Sequence, residues 1–334
     1  MPQVSVIIPT YNGSRYICQT VKSVLNQSYQ DYEVIVVDDG SSDATAALLE
    51  PYLDRIRYYK QQNQGVAAAR NFGLEAARGN YINFLDHDDL LFPQKLALQV
   101  EVFEQQPSVG MVHSGWRRIN QWGEPLTDIE PWHEAPKLDL HEWLQWMPVL
   151  LSAMLLRREW VERAGGLDTG FKQACDMDLI QRLALMGCET AWVHQVTTGY
   201  RQHSKNDSLN TLVQAKECWE VREKFFARTD LPSQVQEQKR HYLYHILVWI
   251  AWRLYYTNHL EKMRETLEQS LQYSPYPYLE TVLNWIKTFK EIAAKHESEI
   301  DLDYLTRCQE WQTLLEVARQ EAMQQNHRKF LEVR

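Results

Sequence analysis

The sequence predicts an α/β fold, a mostly parallel sheet flanked by helices over residues 1–210, with an all-helical region over 211–334. Three observations carry this. Short β-rich runs alternate with helix-like runs through the first hundred residues, the rhythm of βαβ units. Polar residues stand at the carboxyl ends of the apolar runs, where ligands sit in such sheets. Glycine, frequent earlier, is absent from Leu212 to Arg334, while Glu, Gln, Lys and Leu dominate there.

The elements follow in order. Val4–Ile8 reads as a first strand. Ser14 to Gln27 places Ile17, Val21, Val24 and Leu25 at helical spacing. Val34–Val37 is a second strand, and Asp43 to Leu53 a helix capped by Ser42 or Asp43. Ile56–Tyr59 is a third strand. Gly65 to Ala77 is Ala-rich and helical, closed by Gly79. Tyr81–Leu85 is a fourth strand, followed by a helix from Pro93 to Gln105. Residues 106–210 are less regular: Val109–His113 reads as a strand, 120–136 as a loop with Gly123, Pro125, Pro131 and Pro136, and Asp176 to Met186 as a helix. Helices are expected near 212–227, 233–257, 258–272, 277–295 and 302–325, with no repeat period.

Composition narrows the function. The chain has 334 residues and a formal charge of −9, from 35 basic and 44 acidic residues, with no long basic run. That argues against nucleic acid as a partner. Its 44% hydrophobic content supports a sizeable core and argues against disorder. The five cysteines, Cys18, Cys175, Cys188, Cys218 and Cys308, form no CxxC pair. Their odd number and wide spacing argue against a disulfide framework or structural zinc and fit a reducing compartment. Met1-Pro2-Gln3 leads directly into the first strand, without a basic leader. No run reaches the roughly 18 apolar residues of a membrane span. The expectation is a cytoplasmic protein. The aromatic stretch Tyr242 to Tyr256, too polar to span, leaves peripheral association at the inner face of a membrane open.

The chemistry-bearing residues cluster at strand ends. Asp86-His87-Asp88-Asp89 directly follows an apolar strand. Like charges there repel, and burial sharpens the cost. A divalent cation held by oxygen ligands is the usual remedy. Asp88 is the first choice as a ligand, with Asp86 acting directly, through water or on a sugar. An EF-hand is excluded, because Leu91 and Ala97 occupy the positions of its glycine and glutamate. An Asp-x-Asp-x-Thr phosphatase run fails at Leu90, and neither Gly-x-Gly-x-x-Gly nor a P-loop is present. In Asp38-Asp39-Gly40-Ser41-Ser42-Asp43, Gly40 permits a tight turn and Asp39 can accept bonds from a base or ribose; helix capping is the plainer alternative. Arg70, in Asn63-x-Gly65…Ala69-Arg70-Asn71, can reach phosphates or simply lie on a surface. Asp176, at a helix start, can take a proton from an acceptor hydroxyl or cap the helix. In Tyr200-Arg201-Gln202-His203, the imidazole can ligate a metal and Arg201 can meet phosphate.

Taken together, Val6-Ile7-Ile8-Pro9-Thr10-Tyr11-Asn12, Val37-Asp38-Asp39-Gly40-Ser41-Ser42-Asp43, Asn63-x-Gly65 with Ala69-Arg70-Asn71, and Leu85-Asp86-His87-Asp88-Asp89 resemble glycosyltransferase family 2. The resemblance covers roughly residues 1–210. It implies the GT-A fold, a Rossmann-like sheet, and inverting sugar transfer from a nucleoside-diphosphate sugar, usually UDP-linked. By this resemblance Pro9, Tyr11 and Asp39 hold the nucleoside, and Arg70 lies on the nucleotide side of the cleft. Asp86 and Asp88 form the motif that meets the diphosphate through Mn2+ or Mg2+. Asp176 matches the base of a Glu-Asp pair whose Glu position is Cys175 here, and His203 matches a late histidine near the diphosphate. The implied acceptor is a saccharide, a lipid-linked sugar or a polysaccharide, with bacterial polysaccharide or glycoconjugate synthesis as the leading expectation.

Trp116, Trp122, Trp132, Trp143 and Trp146 suit an acceptor surface or an ordinary core equally. Two other functions compete. A sugar-phosphate nucleotidyltransferase would need a Gly-rich basic loop, and Thr10 to Ser14 holds only Gly13. A non-catalytic carbohydrate-binding or scaffold protein is opposed by retention of Asp86, Asp88 and Asp176. The helical region is a candidate for oligomer formation.

Overall fold

The computed structural model describes residues 1–145, 150–295, 298–317 and 319–320. Trp146 and, of the last expected helix, residues 318 and 321–325 lie outside them. The chain divides into two compact units, Met1–Leu209 and Asn210–Arg334.

The first unit is built on a nine-stranded sheet: β1 (Val4–Thr10), β2 (Tyr32–Asp38), β3 (Arg57–Lys60), β4 (Tyr81–Phe84), β5 (Leu90–Leu91), β6 (Val109–Ile119), β7 (Pro125–Ile129), β8 (Leu155–Arg157) and β9 (Glu189–Arg201). The order is β3-β2-β1-β4-β8-β6-β9-β5, with β7 paired to β6. The first four strands run parallel, as the alternating pattern predicts, and β6 runs parallel to β9. The remaining pairings are antiparallel.

Helices α1 (Ile17–Leu25), α2 (Thr45–Leu49), α3 (Val66–Ala76), α4 (Lys95–Gln105), α5 (Leu140–Gln145), α6 (Arg158–Arg163) and α7 (Cys175–Leu185) complete the unit. The expected helix to Leu53 is only α2 plus one 3-10 turn, Glu50–Tyr52, because Pro51 removes a backbone donor. The expected loop 120–136 contains β7.

All seven residues of β1 are buried. A strand flanked by neighbours on both sides and covered by helices reads as a continuous apolar run. Pro9 fits this central strand because β4 stops early. Leu85 N–H donates to Ile7 C=O, and Pro9, two residues on, faces the same way with no strand beside it. Its missing donor therefore removes no ladder bond.

A polar seam crosses this core. Buried Lys95 donates from Nζ to Gln99 Oε1 (2.5 Å), and Gln99 Nε2 donates to the Ala153 carbonyl (2.8 Å). Ser114 Oγ donates to the same carbonyl, and Asn83 Nδ2 to that of Met154. The seam fixes the Leu151–Met154 turn, whose Ser152 Oγ accepts from the Asp86 N–H (3.2 Å) at the edge of the site.

The second unit comprises α8 (Thr211–Phe226), α9 (Ser233–Glu237), α10 (Lys239–Tyr256), α11 (Leu260–Leu271), α12 (Tyr278–Lys295) and α13 (Leu302–Arg307), with further helix at 309–317. The expected 233–257 helix breaks at Gln238. The last breaks at Cys308. Helix α10 packs against α8, α11 and α12. Ten of its residues, from Tyr242 to Leu254, are buried. The apolar stretch Tyr242 to Tyr256 is thus a core helix, which accounts for its composition. Among the described residues no helix is long and apolar enough to cross a membrane.

Candidate active site

The site is assembled where β1, β2 and β4 end. The segments after β1 and β2 are tied together: Asn12 N–H donates to Ser41 Oγ, and Asn12 Oδ1 accepts from the Ser42 N–H. Asn12 and Gly40 both adopt positive φ, 49° and 81°. A Cβ on Gly40 would stand 3.0 Å from the Asn63 nitrogen, so this turn requires glycine. Tyr11, beside it, is half exposed. Asp39 is buried, and its carboxylate accepts from Gln61 Nε2 (2.8 Å), Gln64 N–H (2.9 Å) and Gly65 N–H (2.8 Å). It therefore holds the entry to α3. A carboxylate has about four lone-pair sites, leaving one acceptor position.

Helix α3 carries Arg70 into the site. The guanidinium is almost wholly buried and donates to Asp86 Oδ1 at 2.5 Å and to Cys175 Sγ at 3.5 Å. Burial opposes its charge, but Asp86 above all, with Asp176, outweighs that and holds it protonated. The sequence offers Arg70 as a phosphate contact or a surface residue. It is not at the surface: from the interior it links the β4 turn to the start of α7.

Cys175 is fully buried, and burial raises its thiol to about 12, so a neutral group faces Arg70 where the family resemblance expects Glu. Asp176 is partly exposed and accepts from the Met177 N–H (2.7 Å). Its pKa is pushed up to about 6, chiefly by desolvation, with Arg70 opposing and Asp86 assisting. Asp178, two residues on, is paired with Arg182 (2.7 Å) and belongs to the interior.

Asp88 is held at both ends by the last residues of β9 and the turn after it. Its Oδ2 lies 2.9 Å from His203 Nε2, and its carbonyl accepts from Arg201 Nε at 2.8 Å. Lys205 N–H donates to His203 Nδ1, so Nδ1 is unprotonated and Nε2 carries the hydrogen given to Asp88. Burial opposes ionisation of Asp88, but the His203 bond outweighs it and its pKa is lowered. Asp89 is different. Burial, then the charges of Asp88 and Asp86, push its pKa well up, and it accepts from the Arg201 N–H.

The reading of Arg201 as a phosphate contact is corrected. The side chain is fully buried, and its donors already serve protein oxygens. Sequence reasoning also missed Asp207, whose carboxyl is raised by burial and by Asp86 and Asp88. The turn that carries it has no pattern to mark it. Of the tryptophans, Trp143 is fully buried and is core, Trp116 and Trp132 are half-buried, and Trp122 is 70% exposed.

Among the described residues, no three His, Cys, Asp or Glu side chains form a ready-made cation cage. Asp86, Asp88 and His203 are nonetheless hard oxygen and nitrogen donors. They fit a cation held by one or two carboxylates and completed by substrate phosphates.

Known proteins share this architecture. The sequence model described as glycosyl transferase family 2 matches residues 5–165. The chain is 44% identical over 226 residues to the putative teichuronic acid biosynthesis glycosyltransferase TuaG of Bacillus subtilis, covering 66% of this chain and 87% of that one. Residues 1–349 of S. aureus TarS, solved with UDP-GlcNAc, superpose with a TM-score of 0.65 at 19% identity, covering 96% of this chain and 92% of that one. The mannosyltransferase PcManGT of Pyrobaculum calidifontis, solved with GDP-Man and Mn2+, gives 0.60 at 20% identity, covering 96% and 87%. The sheet with its strand-end loops, the matched family model and the extended identity to TuaG agree: the chain belongs to glycosyltransferase family 2 and has the GT-A fold of those enzymes.

Proposed function

We propose that the chain transfers a sugar from a nucleoside-diphosphate sugar, UDP-linked, to an acceptor hydroxyl with inversion at the anomeric carbon, with Mn2+ or Mg2+, in bacterial polysaccharide or glycoconjugate synthesis. The observation that carries this is the Arg70 guanidinium, which bonds Asp86 on one side and Cys175, the neighbour of Asp176, on the other. It brings the donor-side carboxylate and a carboxyl titrating near 6 into one locality.

Asp39, with Pro9 and Tyr11, holds the nucleoside. Asp88, Asp86 and His203 hold the cation, which would offset charge on the departing diphosphate. Ligation through His203 Nε2 requires its hydrogen to move to Nδ1, at the expense of the Lys205 contact. Asp176 accepts the acceptor proton as the acceptor oxygen bonds to the anomeric carbon and the bond to the diphosphate oxygen breaks. A base whose pKa lies near the working pH is ionised yet still basic enough for this. A single displacement with one base on the acceptor side gives inversion, as in inverting glycosidases. UDP-GlcNAc in TarS and GDP-Man with Mn2+ in PcManGT support the donor class and the cation. TuaG, named for teichuronic acid biosynthesis, supports a polysaccharide acceptor.

The test is nucleoside-diphosphate release from a panel of sugar nucleotides, each with Mn2+, Mg2+ or chelator, followed by binding titration of the same donors. Release from one donor, lost with chelator, is the expected result. Neither release nor binding of any sugar nucleotide would sink the proposal.

A further inference from the structure

We infer that Arg201 is a positioning residue for Asp88, a role that rests on the donor-side reading above. A guanidinium taken out of water is costly unless its donors are satisfied. Here they are distributed over three separate segments. Nε donates to the Asp88 carbonyl (2.8 Å), one terminal nitrogen to Gln19 Oε1 on α1 (2.9 Å), and the other to the Asn120 and Gln121 carbonyls (3.4 and 3.3 Å) in the β6–β7 turn. The guanidinium carbon lies 4.7 Å from the centre of the Tyr16 ring, and the Tyr16 and His203 ring centres are 4.9 Å apart.

The same residue grips the aspartate pair twice. Its N–H donates to Asp89 Oδ1 (3.0 Å) while its side chain holds the Asp88 carbonyl. Its carbonyl accepts from Asn206 Nδ2 (2.9 Å), and Asn206 Oδ1 accepts the His203 N–H (2.5 Å). His203 then closes the circuit on the Asp88 carboxylate. Arg201 therefore sets both the backbone of Asp88 and the imidazole that orients its side chain. It also fastens the turn presenting Trp122, whose backbone is closed by Asn120 Oδ1 accepting from the Trp122 and Glu124 N–H groups.

Lysine keeps the charge but lacks the planar fork, so Arg201→Lys cannot serve all three segments. The primary readout is the imidazole 15N spectrum of His203 in the ligand-free chain, assigned with a His203→Gln variant. The parent should show one tautomer, Nε2 protonated and Nδ1 bare. R201K should remain folded by near-UV circular dichroism, show tautomer averaging, and lose about 10- to 100-fold in acceptor-independent donor hydrolysis, with donor KM changed by less. If R201K proves unstable, Gln19→Ala, at an exposed position, removes one bond from the same guanidinium and should shift the same resonances to a smaller degree. R201K, or Q19A in its place, with the parental His203 tautomer would overturn the positioning role. A parent that hydrolyses no sugar nucleotide would count against the proposed function alone, because the His203 spectrum still decides the role of Arg201.

Discussion

At the scale of single residues, the chemistry turns on how charge is distributed around Arg70. Asp176→Asn should abolish transfer while leaving donor affinity, measured by titration calorimetry, near the parental value. Transfer at parental rates would remove Asp176 from the mechanism. The pH dependence follows from its raised pKa. In the proposed role of base Asp176 must be ionised, so kcat should rise through about pH 6 on its acid limb. The stability consequence has the opposite sense. The folded pKa near 6 lies above the unfolded value of about 3.9, so the folded state holds the proton more tightly and loses stability as pH rises between the two. D176N should therefore be more stable than the parent at pH 8, on the order of 2 kcal/mol, and no more stable at pH 3.5, as urea titrations would show. Asp86, Asp88 and Asp176 stood out in the sequence by their places at a strand end and a helix start, and the structure sets Asp86 and Asp176 around one guanidinium. Arg201 was not, because nothing in Tyr200-Arg201-Gln202-His203 reveals that carbonyls surround its guanidinium.

At the scale of elements, helix α3 shows one physical effect overruling another. Gly73 sits inside this helix, where alanine is ordinarily favoured by about 1 kcal/mol. Here a Cβ would overlap Ile7 Cγ2 on β1. Gly73→Ala should thus destabilise the chain by about 1–3 kcal/mol despite its better helix propensity, read from the urea midpoint. A neutral or stabilising result would mean that α3 can move off the sheet. Strands β1 and β2 were legible because burial on both faces leaves largely apolar runs, whereas β3 is only partly buried. Strand β9 was not anticipated. His194 and Gln195 interrupt it, and it is buried mainly near its end, at Thr197, Thr198, Gly199 and Arg201, where small and polar residues replace the β-branched apolar signal. That strand carries Arg201 and leads to His203, so an element the pattern does not mark delivers two residues of the candidate site.

At the scale of the whole molecule, the change of composition near residue 210 and the division of the chain after Leu209 fall together, because glycine serves turns between strands and has little use in helices. Ligand binding to the first unit should appear in thermal unfolding. UDP with Mn2+, at roughly a hundredfold excess over Kd, should raise Tm by about 5 °C, and chelator should remove most of that gain. An equal gain with chelator would mean that the nucleotide binds without the cation.

Lys95 gives the molecule an alkaline bias. Its amine lies inside the sheet's polar seam, and burial alone drives its pKa well below the ordinary lysine value. The unfolded chain therefore takes up a proton that the folded chain does not. Wherever the unfolded state binds more protons, stability rises with pH, here from the depressed folded pKa up to the unfolded value near 10.4. Mildly basic solution, which loosens many proteins, should tighten this one in that respect. Replacing Lys95 with methionine should flatten that slope, as urea midpoints at neutral and basic pH would show.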